Sequence, residues 1–241
     1  MKQNRGKAMK VVKLNAYMET ARFPVSLSCS PEILPLPPFS TVSGMVHNAC
    51  GWHEYHDMNF FISGKGYINK ELKMQWQGGS KFKTITEEIK KRWSVIVEDE
   101  NDSSYTGWVQ SPKTFYYLAN LQLEIYIQTV NNNDLEVVYT SLKFPRKFLP
   151  LGRYEDLLRV DDVDIVELQQ KNEIGTLKKD AYVPEIFVPD DLCSISYNIN
   201  KKYEYTKKGF RKFNKVRCRY IDKDTKIFCN LFDNDNPVFL T

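Results

Sequence analysis

"YYLANLQLEIYIQT", residues 116–129, is the stretch on which the fold turns. Leu121, Leu123, Ile125 and Ile127 recur at a spacing of two, the period of a strand with one buried face. "NNND" (131–134) breaks the alternation and opens a helix with Leu135, Val138, Tyr139 and Leu142 on one side. Upstream, "MNFFISG" (58–64) reads as a strand, preceded by a helix over residues 40–50. Ser40 can cap that helix, and Val42, Met45, Val46 and Ala49 form its apolar stripe. Gly44 in its middle costs about 1 kcal/mol against Ala and implies close packing on that face. "MKVVKLNAYM" (9–18) and "DVDIVEL" (162–168) complete the order strand–helix–strand–strand–helix–strand. The expected fold class is therefore α+β: a βαββαβ core, its four strands antiparallel, both helices on one face and the other face open.

The core is expected over residues 8–172. Residues 78–116 interrupt it as a projecting insertion. Within it "TITEEIKKRWSVIV" (84–97) opens with a capping box from Thr84 to Glu87 and sets Ile85, Ile89 and Trp93 on one face. The polar loop "EDENDSSYTG" follows. From 173 to 241 the helical signal disappears. "EIFVP", "SISYNI", "KVRCRYI", "KIFCNLF" and "PVFLT" read as short strands of a small C-terminal β domain.

The chain has 241 residues, 42% hydrophobic and 27% charged, the balance of an ordinary globular protein. No apolar run approaches the roughly 18–20 residues of a membrane helix, so no membrane partner is expected. The basic N-terminus lacks the apolar stretch of a signal peptide. Five cysteines without a CxxC pair read as reduced thiols and place the protein in the cytoplasm. Net charge is only +4, but nine Lys/Arg against one acid lie between Lys201 and Arg219. Tyr203, Tyr205, Phe210, Phe213 and Tyr220 are interleaved with them, a composition that suits either a solvated strand face or a surface that tracks phosphates and stacks bases.

His47, Cys50, His53 and His56 fall at H-x2-C-x2-H-x2-H. Zinc sites separate two ligand pairs by a longer loop. On a continuous helix, steps of three residues drift by about 60° each, so four such side chains cannot face one ion, and only a break at Gly51 could gather them. No metal and no cofactor are expected. Glu155 and Asp156 invite a paired-carboxylate reading, but beside Arg153 they serve better as its anchors or as a turn cap.

Four segments, "ARFPVS", "LPLPPFSTVSGMVHNACGWHEY", "FISGKGY" and "FLPLGRYEDLLRV", resemble in that order motifs of one family. It is the fifth CRISPR-associated core family, the subunit that holds the 5′ handle of CRISPR RNA in type I Cascade complexes. The proline–helix segment is most similar to the type I-B branch. The resemblance covers residues 10–170, while 78–116 and the C-terminal third match in character only. It implies a ferredoxin-like or RRM-like core with a projecting thumb and a variable C-terminal β region. It also implies a non-catalytic RNA-binding and assembly subunit for antiviral defence. Its partners would be the crRNA 5′ handle, the Cascade backbone subunit and the large subunit. Target DNA would be reached only indirectly, through guide pairing.

A single-stranded RNA end is held by its phosphates and by splayed bases. Ser40, Thr41 and Ser43 stand at a helix start, where free N–H groups favour phosphate. Arg22 lies in a loop before Pro24, and Lys65 sits between the glycines of "GKG". Arg146, Lys147 and Arg153 line the second connection. These eight residues are the expected RNA-binding set, with no catalytic residue among them. Two alternatives stand beside this reading. One is a metal-independent endoribonuclease for CRISPR repeat RNA, as in the type I-C branch, with His47 as candidate base. The other is a general RRM-like binder, although the RNP signature is missing from "NLQLEIYIQT". Which handle bases are read, the stoichiometry and the subunit contacts lie beyond the sequence.

Overall fold

The computed structural model describes residues 9–25 and 32–241. In order the elements are β1 (Met9–Ala21), α1 (Phe39–Cys50), β2 (Met58–Phe82), α2 (Glu87–Arg92), β3 (Val95–Asp99), β4 (Ser104–Thr129), α3 (Asp134–Lys143), β5 (Leu149–Pro150), β6 (Leu157–Thr176), β7 (Ala181–Pro184), β8 (Ile195–Tyr205), β9 (Arg211–Ile221), β10 (Lys226–Asp233) and β11 (Asn236–Pro237). The fold is mixed and rich in sheet. Two compact units divide the described chain. One comprises the residues up to Ile68 together with Tyr117–Thr241, the other Asn69–Tyr116.

In the first unit the strands run β11-β10-β6-β1-β4-β2-β7-β9-β8, with β5 paired to β6. β1 is antiparallel to both neighbours, Leu14 lying opposite Ile125 on one side and Val163 on the other. Asn59 meets Gln128 and Ser63 meets Glu124, so β2 and β4 also run in opposite directions. The alternating Leu121, Leu123, Ile125 and Ile127 join Val12, Leu14 and Met18 in a core closed by α1 and α3.

The sequence leads one to expect the opposite sheet face to be open. It is covered. Val11, Phe61 and Tyr126 are buried against Phe232, Val238 and Phe239, which come from more than a hundred residues downstream of β4's midpoint. A polar network ties this cover down. Lys13 Nζ bonds Asp233 at 2.7 Å, and the Tyr126 hydroxyl donates to Asp233 at 2.9 Å. Burial disfavours charge on Lys13, but the bonds to Asp233 and Tyr126 and the nearby Glu124 carboxylate outweigh it, and its pKa is raised. The C-terminal strands also do not make a sheet of their own. β10 and β11 extend the β6 edge, and β7, β9 and β8 extend the β2 edge. "EIFVP" forms a 3-10 turn at Glu185–Phe187 rather than a strand, and of "PVFLT" only Pro237 lies in a strand, β11 (Asn236–Pro237).

Two helix starts differ from expectation. α1 begins after Pro38, whose extended ψ of 149° turns its carbonyl toward the N–H groups of Thr41 and Val42. Proline's fixed φ suits this place, and Ser40 sits inside the first turn instead of capping it. In the second unit α2 is capped by Thr86, which accepts from the Ile89 N–H at 3.3 Å, so Thr84 has no capping part. That unit starts at Asn69 because β2 continues without a break past the expected boundary at 78. Within it β3 pairs with β4, Val95 facing Trp108, and Ile85, Ile89 and Trp93 are half-buried.

Candidate nucleic-acid interface

The start of α1 is fixed from below by Tyr182. This buried phenol donates to the Leu36 carbonyl at 2.8 Å, accepts from the Leu36 N–H at 3.2 Å, and meets the Phe39 ring edge-on at 6.1 Å. Phe39, Val42, Met45 and Val46 face the core, which leaves Ser40, Thr41, Gly44 and Asn48 on the outer side. Gly44 does not mark close packing. It is exposed, and a Cβ built there meets nothing within 4 Å. At the other end Gly51, with φ of 69°, closes the helix, its N–H bonding the Asn48 carbonyl and that of Trp52 the His47 carbonyl.

That turn folds the histidine segment back on itself. His47 Nδ1 lies 2.7 Å from the Ser43 carbonyl, and its Nε2 accepts the His56 N–H at 2.9 Å. The ring is thus held as the neutral Nδ1–H tautomer, and burial pushes its pKa below the ordinary value. The lone pair that a nuclease base needs is engaged by the His56 amide. His56 stacks on Trp52 at 3.8 Å and pairs with Asp134 at 2.8 Å. Burial raises the pKa of the Cys50 thiol, and His53 is exposed. Among the described residues no three His, Cys, Asp or Glu side chains gather as metal donors.

Across the outer side of α1 lies the basic, aromatic hairpin of β8 and β9. Tyr203 is registered with Phe213 and Tyr205 with Arg211. The Arg211 guanidinium sits over the Tyr203 ring at 4.6 Å, and the rings of Phe213 and Tyr205 meet it at 5.7 and 5.4 Å. At the hairpin's base Lys201 is held by Asn59 and the Thr241 carbonyl at 2.7 and 2.6 Å. Two cavities lie between helix and hairpin. One of about 450 Å³ is walled by His47, Trp52, Tyr55, Tyr203 and Tyr205, with Lys201, Lys202, Glu54 and Glu204 at its margin. The other, about 490 Å³, is lined by Thr41, Asn48, Gly152, Arg211 and Phe213. Ser40, Gly44 and Tyr203 border both.

The eight expected RNA-binding residues are distributed unevenly. Ser40 and Thr41 line the groove. Ser43 borders the first cavity but is only 7% exposed and is turned toward His47. Arg153 forms a bidentate pair with the fully buried Asp156, both bonds 2.8 Å, and a further contact to Glu155. Asp156 also accepts the Arg22 N–H at 3.3 Å, so "ARFP" and "LGRYEDL" meet at one carboxylate beside the groove wall at Gly152. Lys65 stands apart, 3.5 Å from Asp180. "GKG" lies within β2, and a Cβ on Gly64 would fall 2.2 Å from the Gln122 carbonyl oxygen, so this glycine makes room for β4. Arg146 and Lys147 are exposed and border a separate cavity of about 790 Å³, beside Phe144 and Phe148.

Sequence reading singled out the hairpin for its composition but did not join it to α1. Tyr203 and Arg211 are more than 150 residues from Ser40. The usable signal was the i, i+2 spacing of Tyr203 and Tyr205, which puts both rings on one side of a strand.

No family model matches the chain, and no curated protein matches it. Its structural neighbours are CRISPR-associated proteins. It is similar to a chain of a CRISPR RNA-guided surveillance complex at 14% identity and a TM-score of 0.49, over 90% of this chain and 91% of that one. A CRISPR protein from Archaeoglobus fulgidus gives 11% identity and 0.47, over 91% of each chain. A Cas protein gives 12% and 0.41, over 94% of this chain and 98% of the other.

Proposed function

We propose that this chain is a non-catalytic, RNA-binding assembly subunit of a type I CRISPR Cascade effector, type I-B-like, which clamps the 5′ handle of crRNA. The observation that carries the reading is the groove in which the outer side of α1 faces a hairpin of interleaved Lys, Arg and aromatic residues. Such a surface can follow a phosphate backbone and stack splayed bases, the way a single-stranded RNA end is held. The motif resemblance supports the choice of RNA, since "PPFST" supplies the helix wall and "LGRYEDL" the adjoining loop. The strand order β6-β1-β4-β2, with helices after β1 and β4, supports a ferredoxin-like core. In this reading Asn69–Tyr116 corresponds to the family's thumb. The backbone and large subunits are its protein partners, and it works in the cytoplasm. Ser40, Thr41 and Arg211 supply the phosphate contacts, while Arg153 positions the wall through Asp156.

Binding of repeat-derived handle RNA by the purified chain, measured at several salt concentrations against a scrambled RNA, tests this. The expected result is preference for the handle, a log–log salt slope of about −0.7 per phosphate held, and RNA that stays intact in EDTA. Equal affinity for both RNAs would return the chain to the class of general binders, and cut product would make it a nuclease.

A further inference from the structure

We infer that a single nucleotide straddles Gly44, its base against the rings of the first cavity and its phosphate beside Arg211 in the second, with Tyr203 bordering both. The inference rests on the RNA-binding reading and names how the groove grips its ligand. An exposed glycine in the middle of a helix weakens it relative to alanine, and here no neighbour within the chain requires the missing Cβ. The space above Gly44 opens into both cavities. The two differ in chemistry. The first presents the rings of His47, Trp52, Tyr55, Tyr203 and Tyr205, which give a base surfaces to stack on. The second sets the Ser40 and Thr41 hydroxyls, the Asn48 amide and the Arg211 guanidinium, groups that can donate to phosphate oxygens, among the apolar Met45, Pro150 and Phe213. Arg211 lies on the Tyr203 ring, so cation and stacking platform meet at the boundary. A sugar passing from one cavity to the other must cross where Gly44 has no side chain.

The test measures affinity of fluorescein-labelled handle RNA, its salt slope and the melting temperature for Gly44→Ala, Gly44→Leu, Tyr203→Ala and Arg211→Ala in the full chain. Gly44→Ala should raise the melting temperature by about 2–4 °C and yet weaken binding, with a further loss in Gly44→Leu. Tyr203→Ala should lose about tenfold in affinity at an unchanged slope, and Arg211→Ala should reduce the slope by about 0.7. Wild-type affinity in Gly44→Leu overturns the inference and leaves the RNA-binding reading standing. A drop in both affinity and melting temperature in Gly44→Ala overturns it too, because the effect would then lie in folding. Absence of any salt-dependent RNA binding by the wild type removes both.

Discussion

Acidification acts on His47 through its two engaged nitrogens. Protonating Nε2 would set a second donor against the His56 N–H that it now accepts at 2.9 Å, and burial further disfavours the charge. The unfolded ring takes its proton near pH 6.5, whereas the folded ring resists to lower pH. Stability from this group is therefore complete above about pH 6.5, declines as the pH falls through the folded pKa, and levels off below it. His47→Gln should be less stable at pH 7, by about 1–2 kcal/mol for the lost bonds. Its melting temperature should change less between pH 7 and 5 than that of the wild type. Parallel profiles would mean that His47 is not the titrating group.

At the scale of elements, the cover over the second sheet face is the feature least open to sequence reading. The alternation in 121–127 identified β4 and its inner face correctly, and the stripe Leu135, Val138, Leu142 identified α3. Both signals are local. Burial of Val11, Phe61 and Tyr126 depends on a segment near residue 239, and nothing in their own neighbourhood encodes it. Gln122 and Gln128 around Tyr126 instead suggest a wet face. The same holds for the groove: Ser40 carries a local helix-start signal, but no periodicity tells which hairpin lies across it. Asp233 offers a test of the cover. Burial pushes its pKa up, yet the bonds from Lys13 and Tyr126 prevail and hold it below the usual carboxylate value. Its contribution is present above about pH 3.8 and lost as the pH falls through the folded pKa. Asp233→Asn should lower stability at pH 7, flatten the acid limb of the stability profile and increase binding of an apolar dye to the loosened face. Unchanged dye binding and stability would show that the network is dispensable.

At the scale of the whole molecule, the groove and the buried cores on both faces of the sheet lie in the unit that excludes Asn69–Tyr116. A chain in which a short glycine linker replaces that segment should therefore still melt cooperatively and retain groove-dependent RNA binding. Loss of cooperative melting would show that the two units fold as one. The most direct measurement of the central claim is photocrosslinking of 4-thiouridine-substituted handle RNA to the full chain, followed by peptide mapping. The account predicts crosslinks concentrated in Ser40–Asn48 and Lys201–Phe213, Tyr203 foremost. Crosslinks confined to other surfaces, with both of these segments silent, would contradict it.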